Sequence, residues 1–272
     1  MREELIIDKE LKLQYFVEGD GEETVICFHG HGRSKDDFEF LIRPNRKWIA
    51  VHLYFHGKSF FPDERIETDP LKEEEFISMF QQLLEKEKIN NFHLFGFSQG
   101  GRFVFVSIPH FEKQIESVTL IAPDGLDNNS FYNRSAHKKW ARSLFMAWER
   151  NPNRAARVAK VVKFLKVANP KVIAMLEQFV ADRSAFKRAS RTYRGFRDLK
   201  TNEQKLKEIF ARRPFPIKII MGSKDMVIKS QTAKAFGKRT GIYDCVIDVP
   251  CGHSFFKEEN IALIRPHLFI EA

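Results

Sequence analysis

The sequence predicts an α/β fold, with a mostly parallel central sheet flanked by helices and a helical lid insertion. Three observations lead there. Near-continuous apolar runs recur at 24–29, 48–55, 92–97, 117–123, 215–221 and 243–250, the pattern of strands buried on both faces. Helical periodicity alternates with these runs, as covering a parallel sheet requires. Between Pro123 and Pro214 no strand pattern occurs, and the segment reads as consecutive helices.

The elements follow in order. Residues 11–18 and TVICFH at 24–29 read as strands separated by the turn EGDGEE, and WIAVHLYF at 48–55 as a third. After Pro70, LKEEEFISMFQQLLEKEK is a helix with Phe76, Phe80, Leu83 and Leu84 on one face. FHLFGF at 92–97 is a buried strand, 99–108 a helix and SVTLIAP at 117–123 a strand. Helices are then expected at 135–149 and at 154–168, the latter with Val158, Val161, Val162 and Leu165 on one side. Another starts at Pro170, with Val172, Met175, Leu176, Phe179 and Val180. FPIKIIM at 215–221 and YDCVIDVP at 243–250 return to the sheet and bracket a helix at 230–238. The expected domains are a core at 1–126 and 206–272 and a helical lid at 127–205, with no internal repeats.

At 272 residues, 43% hydrophobic and rich in Phe (27 residues), the chain can bury a large core, which argues against disorder. The start, MREELIIDKELKLQYF, has no apolar signal region, and no stretch reaches membrane-spanning length, so a soluble cytoplasmic protein is expected. Cys27, Cys245 and Cys251 lack metal-ligand spacing and cannot all pair, which suits a reducing compartment and implies no metal. The net charge of +9 is uneven: residues 127–200 hold 18 Lys and Arg against 5 Asp and Glu. A solvated outer face accounts for it by default, since Lys160, Lys163 and Lys166 oppose the apolar stripe. Attraction of anionic or lipid-like substrates, or peripheral contact with an anionic membrane, is the second reading. Nucleic-acid binding has no motif to support it.

The chemistry centres on Gly96-Phe97-Ser98-Gln99-Gly100, where an apolar strand ends and a small-residue helix begins. A G-x-S-x-G turn at such a junction lifts the serine hydroxyl above the sheet edge, and its glycines avoid collision with neighbouring backbone. A serine attacks only if a base takes its proton, and the base needs a third group to orient it. IKIIMGSKDMV puts Asp225 just past one later strand, and VIDVPCGHSFF puts His253 just past the next. Asp124, just beyond SVTLIAP, competes with Asp225 for the acid role.

Elbow, post-strand acid and terminal Gly-His, in the order Ser98, Asp225, His253, resemble the α/β-hydrolase superfamily over nearly the whole chain. The resemblance implies a serine hydrolase with no cofactor, acting on a small molecule. It further implies that the turn Phe28-His29-Gly30-His31-Gly32 supplies one oxyanion-hole N–H at His31 and that Gln99 supplies the other. His29 is expected to pack structurally beneath that turn. One departure stands out: where relatives show D-x-x-G-H-G-x-S, this chain reads His52-Leu53-Tyr54-Phe55-His56-Gly57-Lys58-Ser59, a loop expected to shape the pocket rather than the chemistry. A serine nucleophile argues against the carboxylate-using dehalogenase and epoxide-hydrolase branches and leaves ester, thioester, amide and C–C cleavage open. Arg33 and Arg102 are candidates to bind an anionic substrate, and an arginine at the position of Arg102 resembles the menaquinone-pathway lyase branch. The alternatives are therefore a C–C hydrolase or lyase acting on a carboxylated substrate, and a non-catalytic binding protein of the same fold.

Overall fold

The computed structural model describes residues 1–151, 154, 157 and 182–270. Its strands are β1 (Arg2–Asp8), β2 (Leu11–Glu18), β3 (Glu23–Phe28), β4 (Arg46–Val51), β5 (Phe92–Phe97), β6 (Ile115–Ile121), β7 (Ile217–Gly222) and β8 (Val246–Val249). The described helices are α1 (Arg65–Thr68), α2 (Glu73–Lys86), α3 (Gln99–Phe111), α4 (Phe131–Ala136), α5 (Lys139–Arg150), α6 (Arg183–Gly195), α7 (Glu203–Arg212), α8 (Ser230–Thr240) and α9 (Glu258–Ile264). The helices expected at 154–168 and from Pro170 lie outside the described residues, apart from positions 154 and 157.

The eight strands form one sheet in the order β1-β2-β4-β3-β5-β6-β7-β8. β2 runs antiparallel to both its neighbours, and every pair from β4–β3 onward is parallel. Such connectivity aligns the C-terminal ends of β3 to β8 along one sheet edge, where α/β proteins put their binding crevices. Alternation along each strand divides the core's phenylalanines between the two faces of the sheet. Phe28 and Phe92 face α2 and α3, where Phe80 meets Phe28 at 5.6 Å and Phe92 at 5.7 Å, and Phe76 meets Phe103 at 4.9 Å. Phe95 and Phe97 face the other way, onto Phe38 at 5.5 Å and Phe256 at 4.9 Å.

Some boundaries differ from those expected, for local reasons. The run at 48–55 leaves the sheet after Val51, because Phe55 (φ 68°) and Gly57 (φ 52°) turn left-handed. The run at 243–250 opens as a 3-10 turn at Tyr243–Cys245 before pairing from Val246. β1, absent from the expected elements, is an edge strand with Ile6 as its one buried residue, so its burial leaves little periodic signal.

By internal contacts the chain divides into two units, one comprising 1–62, 72–128 and 198–272, the other 63–71 and 129–197. The second takes in a short stretch that sequence assigns to the core. Its cause is a set of ion pairs: Glu67 meets Arg142 and Arg194 at 3.0 Å each, Arg194 meets Glu149 at 2.6 Å, and Arg191 pairs with Asp63. Burial raises the Glu67 carboxyl, but the two arginines outweigh it and hold its pKa below the ordinary value. Within the same unit Phe145 stacks on Tyr193 at 4.3 Å, and the Tyr193 hydroxyl meets Ser135 at 2.6 Å.

Candidate active site

Ser98 stands at the β5–α3 junction with φ 48° and ψ −118°, a conformation that costs about 1–3 kcal/mol in a residue with a side chain. Its neighbours hold it there. The Ser98 N–H donates to the Ile121 carbonyl at 2.9 Å, and its own carbonyl accepts from Gly101 at 2.9 Å and Asp124 at 2.7 Å. Close packing explains the flanking glycines: a Cβ on Gly96 would lie 2.7 Å from Val104 Cγ2, and one on Gly100 would lie 2.0 Å from the Phe28 carbonyl oxygen. No side chain fits at Gly100 without moving the end of β3.

His253 and Asp225 reach the serine from the ends of β8 and β7. His253 Nε2 lies 3.1 Å from Ser98 Oγ, and His253 Nδ1 lies 2.6 Å from Asp225 Oδ2. The other carboxylate oxygen, Oδ1, accepts the N–H groups of Val227 at 2.7 Å and Ile228 at 3.1 Å. Both oxygens of this fully buried carboxylate therefore have fixed partners, and the imidazole has its Nδ1 proton directed at Asp225. The Phe97 ring packs against the His253 ring, centroids 5.2 Å apart and planes tilted by 34°. His253 keeps 23% of its side chain accessible, so its ring is approachable while the Asp225 carboxylate is sealed.

The turn after β3 abuts the elbow. A Cβ on Gly30 would lie 3.2 Å from Ser98 Cβ, and one on Gly100 2.8 Å from the His29 carbonyl oxygen. Gln99 is the first residue of α3, so its N–H belongs to the first turn, whose N–H groups find no acceptor within the helix. His31 lies in the adjoining turn, which brings its backbone and that of Gln99 to the same sheet edge as Ser98.

The sequence profile of the alpha/beta hydrolase fold matches residues 23–260. The chain belongs to the α/β-hydrolase family. Solved structures agree over nearly its full length. A thermophilic esterase from Thermogutta terrifontis is 14% identical with a TM-score of 0.68, covering 98% of this chain and 97% of its own. MGS-M2, an α/β hydrolase enzyme from a Medee basin deep-sea metagenome library, is 12% identical with a TM-score of 0.66, covering 96% of each chain. The enol-lactonase from Burkholderia xenovorans LB400 is 15% identical with a TM-score of 0.62, covering 97% of this chain and 98% of its own. At these identities they are alike in fold. No curated protein matches the chain in sequence.

Within this α/β-hydrolase frame the remaining candidates fall into place. Asp124 does not meet His253: its Oδ2 takes Arg102 Nε at 3.0 Å and Nη2 at 2.8 Å, and its Oδ1 caps the Gly125 N–H at 2.7 Å. Arg102, expected as a substrate ligand, is buried, and its Nη1 also donates to the Leu199 carbonyl at 3.3 Å. Its charge is met inside the protein. Arg33, expected in the same role, pairs with Asp37, donating from Nε to both carboxylate oxygens at 3.0 and 2.9 Å. Burial pushes the Asp37 carboxyl up while Arg33 opposes that rise.

His29 packs beneath the turn, fully buried, its Nδ1 donating to the Gly30 carbonyl at 2.7 Å and its Nε2 accepting from Leu53 N–H at 3.1 Å. Desolvation holds its pKa well below the ordinary histidine value, so it is neutral. Among the described residues no group of three or more His, Cys, Asp or Glu could hold a metal ion, and no helix is long and apolar enough to cross a membrane.

Proposed function

We propose that this chain is a serine hydrolase cleaving an ester, thioester or related carbonyl substrate through a covalent acyl-enzyme. One observation carries the reading: the unbroken contact from Ser98 Oγ through His253 to a sealed Asp225, 3.1 and 2.6 Å long. Ser98 Oγ attacks the carbonyl carbon as His253 Nε2 takes its proton, and Asp225 stabilises the imidazolium that results. The N–H groups of His31 and Gln99 receive the negative charge developing on the carbonyl oxygen, an interaction in which one donor contributes about 2.7–4 kcal/mol. His253 then protonates the leaving group, and water, activated by the same base, hydrolyses the acyl-enzyme.

Ester-type hydrolysis stands ahead of a lyase or C–C hydrolase acting on a carboxylate. The two arginines that would recognise that carboxylate already face Asp37 and Asp124. The basic stretch at 127–200 makes anionic and lipid-like acyl compounds the first natural substrates to try.

A panel of p-nitrophenyl esters and acyl thioesters tests the reading. Turnover by the wild type that Ser98→Ala abolishes supports it, whereas equal rates in the two proteins would refute it.

A further inference from the structure

The loop after β4 departs from the family pattern yet keeps His56-Gly57-Lys58-Ser59, and the retained half touches the oxyanion turn. The Gly32 N–H donates to His56 Nε2 at 2.9 Å. His56 Nδ1 lies 3.1 Å from the Tyr54 carbonyl oxygen, which can only accept, so Nδ1 carries the proton and Nε2 is left as the acceptor. The ring is buried, 4.7 Å from His29 and 5.8 Å from His31.

The chain bends sharply to aim this ring. Phe55 (φ 68°) precedes it and Gly57 (φ 52°) follows, both left-handed, and a Cβ on Gly57 would lie 2.1 Å from Gln14 Oε1 and 2.3 Å from His52 Nδ1. The bend is anchored on both sides. Ser59 Oγ donates to the His52 carbonyl at 2.7 Å and accepts Gln14 N–H at 2.8 Å, while Gln14 Oε1 accepts Lys58 N–H at 2.7 Å. Strain held in place by this many bonds at the edge of a catalytic turn is the pattern of a preorganised site.

We propose that His56 is the positioning residue of the oxyanion hole, accepting the Gly32 N–H so that the neighbouring His31 N–H is held toward the substrate carbonyl. The proposal rests on the serine-hydrolase reading above. The Gly32 N–H lies in the peptide plane of the His31 carbonyl, while the His31 N–H lies in the preceding plane, whose Gly30 carbonyl accepts from Arg33 N–H at 3.1 Å and from His29 Nδ1 at 2.7 Å. With that plane held, the His56 bond restricts the His31 torsions that join the two. His29 anchors the same turn independently through Leu53, so removing His56 loosens the turn's orientation without unseating it. Buried and bonded to Gly32, His56 acts through the turn.

The test compares a p-nitrophenyl ester with its thionoester, whose sulfur accepts hydrogen bonds weakly and so gains little from the hole. His56→Ala is expected to lower kcat for the ester about 10- to 100-fold, somewhat less than loss of a whole oxyanion donor, with KM within about twofold and a much smaller loss for the thionoester. His56→Gln, whose Oε1 can take the acceptor's place, is expected to recover most of the ester rate. Equal losses on the two substrates, or an alanine variant with full kcat, would overturn the assignment. If the alanine variant does not fold, the imidazole tautomer in the wild type decides, read from long-range proton–nitrogen correlations. A protonated Nδ1 and bare Nε2 support the proposal, and a protonated Nε2 overturns it. Fluorophosphonate labelling of Ser98 in the wild type separates the two claims: a labelled, active wild type with an unaffected His56→Ala refutes this inference alone, while an unlabelled, inactive wild type refutes the reading beneath it.

Discussion

Replacing Asp225 by Asn tests the relay through its geometry. Asp225 Oδ1 accepts two backbone N–H groups, from Val227 and Ile228, so an asparagine at this position keeps its carbonyl oxygen there. Its NH₂ group then points at His253 Nδ1, 2.6 Å away in the native protein, and the imidazole must accept at Nδ1 and carry its proton on Nε2. A protonated Nε2 faces Ser98 Oγ as a donor and cannot take the serine's proton. The expected consequence is a fall in kcat of about 10⁴, or roughly 5 kcal/mol, with little change in KM or folding. Steady-state hydrolysis of a p-nitrophenyl ester, with thermal unfolding as a control, measures it. A variant that keeps more than a tenth of the wild-type kcat would refute this reasoning, and Asp124→Asn abolishing turnover instead would move the acid to the other carboxylate.

Three further outcomes follow from the packing and the buried charges. Gly100→Ala puts a Cβ 2.0 Å from the Phe28 carbonyl oxygen, so it should cost at least ~2 kcal/mol in denaturant unfolding and lower kcat with it, since β3 leads directly into the His29–Gly32 turn. Arg102→Met should leave KM for carboxylated and neutral esters in the same ratio while lowering stability by about 1–3 kcal/mol, because it strands Asp124; a selective rise in KM for the carboxylated ester would restore Arg102 to the substrate site. His52, whose pKa desolvation lowers to about 4, is neutral in the folded protein while an unfolded histidine protonates near 6.5. Its contribution is complete above pH 6.5 and is lost as pH falls to about 4, on the order of 3 kcal/mol, and His52→Gln should flatten that limb of a stability–pH profile.

The meeting of Ser98, His253 and Asp225 was legible because each obeys a local rule: an apolar run that stops at a small or polar residue marks a strand end. In a parallel sheet, strand ends converge. The contacts of Arg102 and His56 were not legible for the converse reason. Arg102 sits one turn beyond Ser98 in sequence, and only the packing of α3 against the β6 end brings it to Asp124, 22 residues away. His56 gains its meaning from the parallel pairing of β3 with β4, which sets the loop after one beside the turn after the other. The short stretch at 63–71 shows the same limit: nothing local in the sequence ties Asp63 and Glu67 to Arg191 and Arg194, which lie 128 and 127 residues further on.

The most direct measurement is to react the folded protein with a fluorophosphonate and locate the adduct by peptide mass spectrometry. A Ser98 nucleophile activated by His253 requires stoichiometric modification of Ser98 in the wild type, strongly slowed in His253→Ala and absent in Ser98→Ala. A folded wild type that stays unmodified, or one labelled equally well without His253, would contradict it.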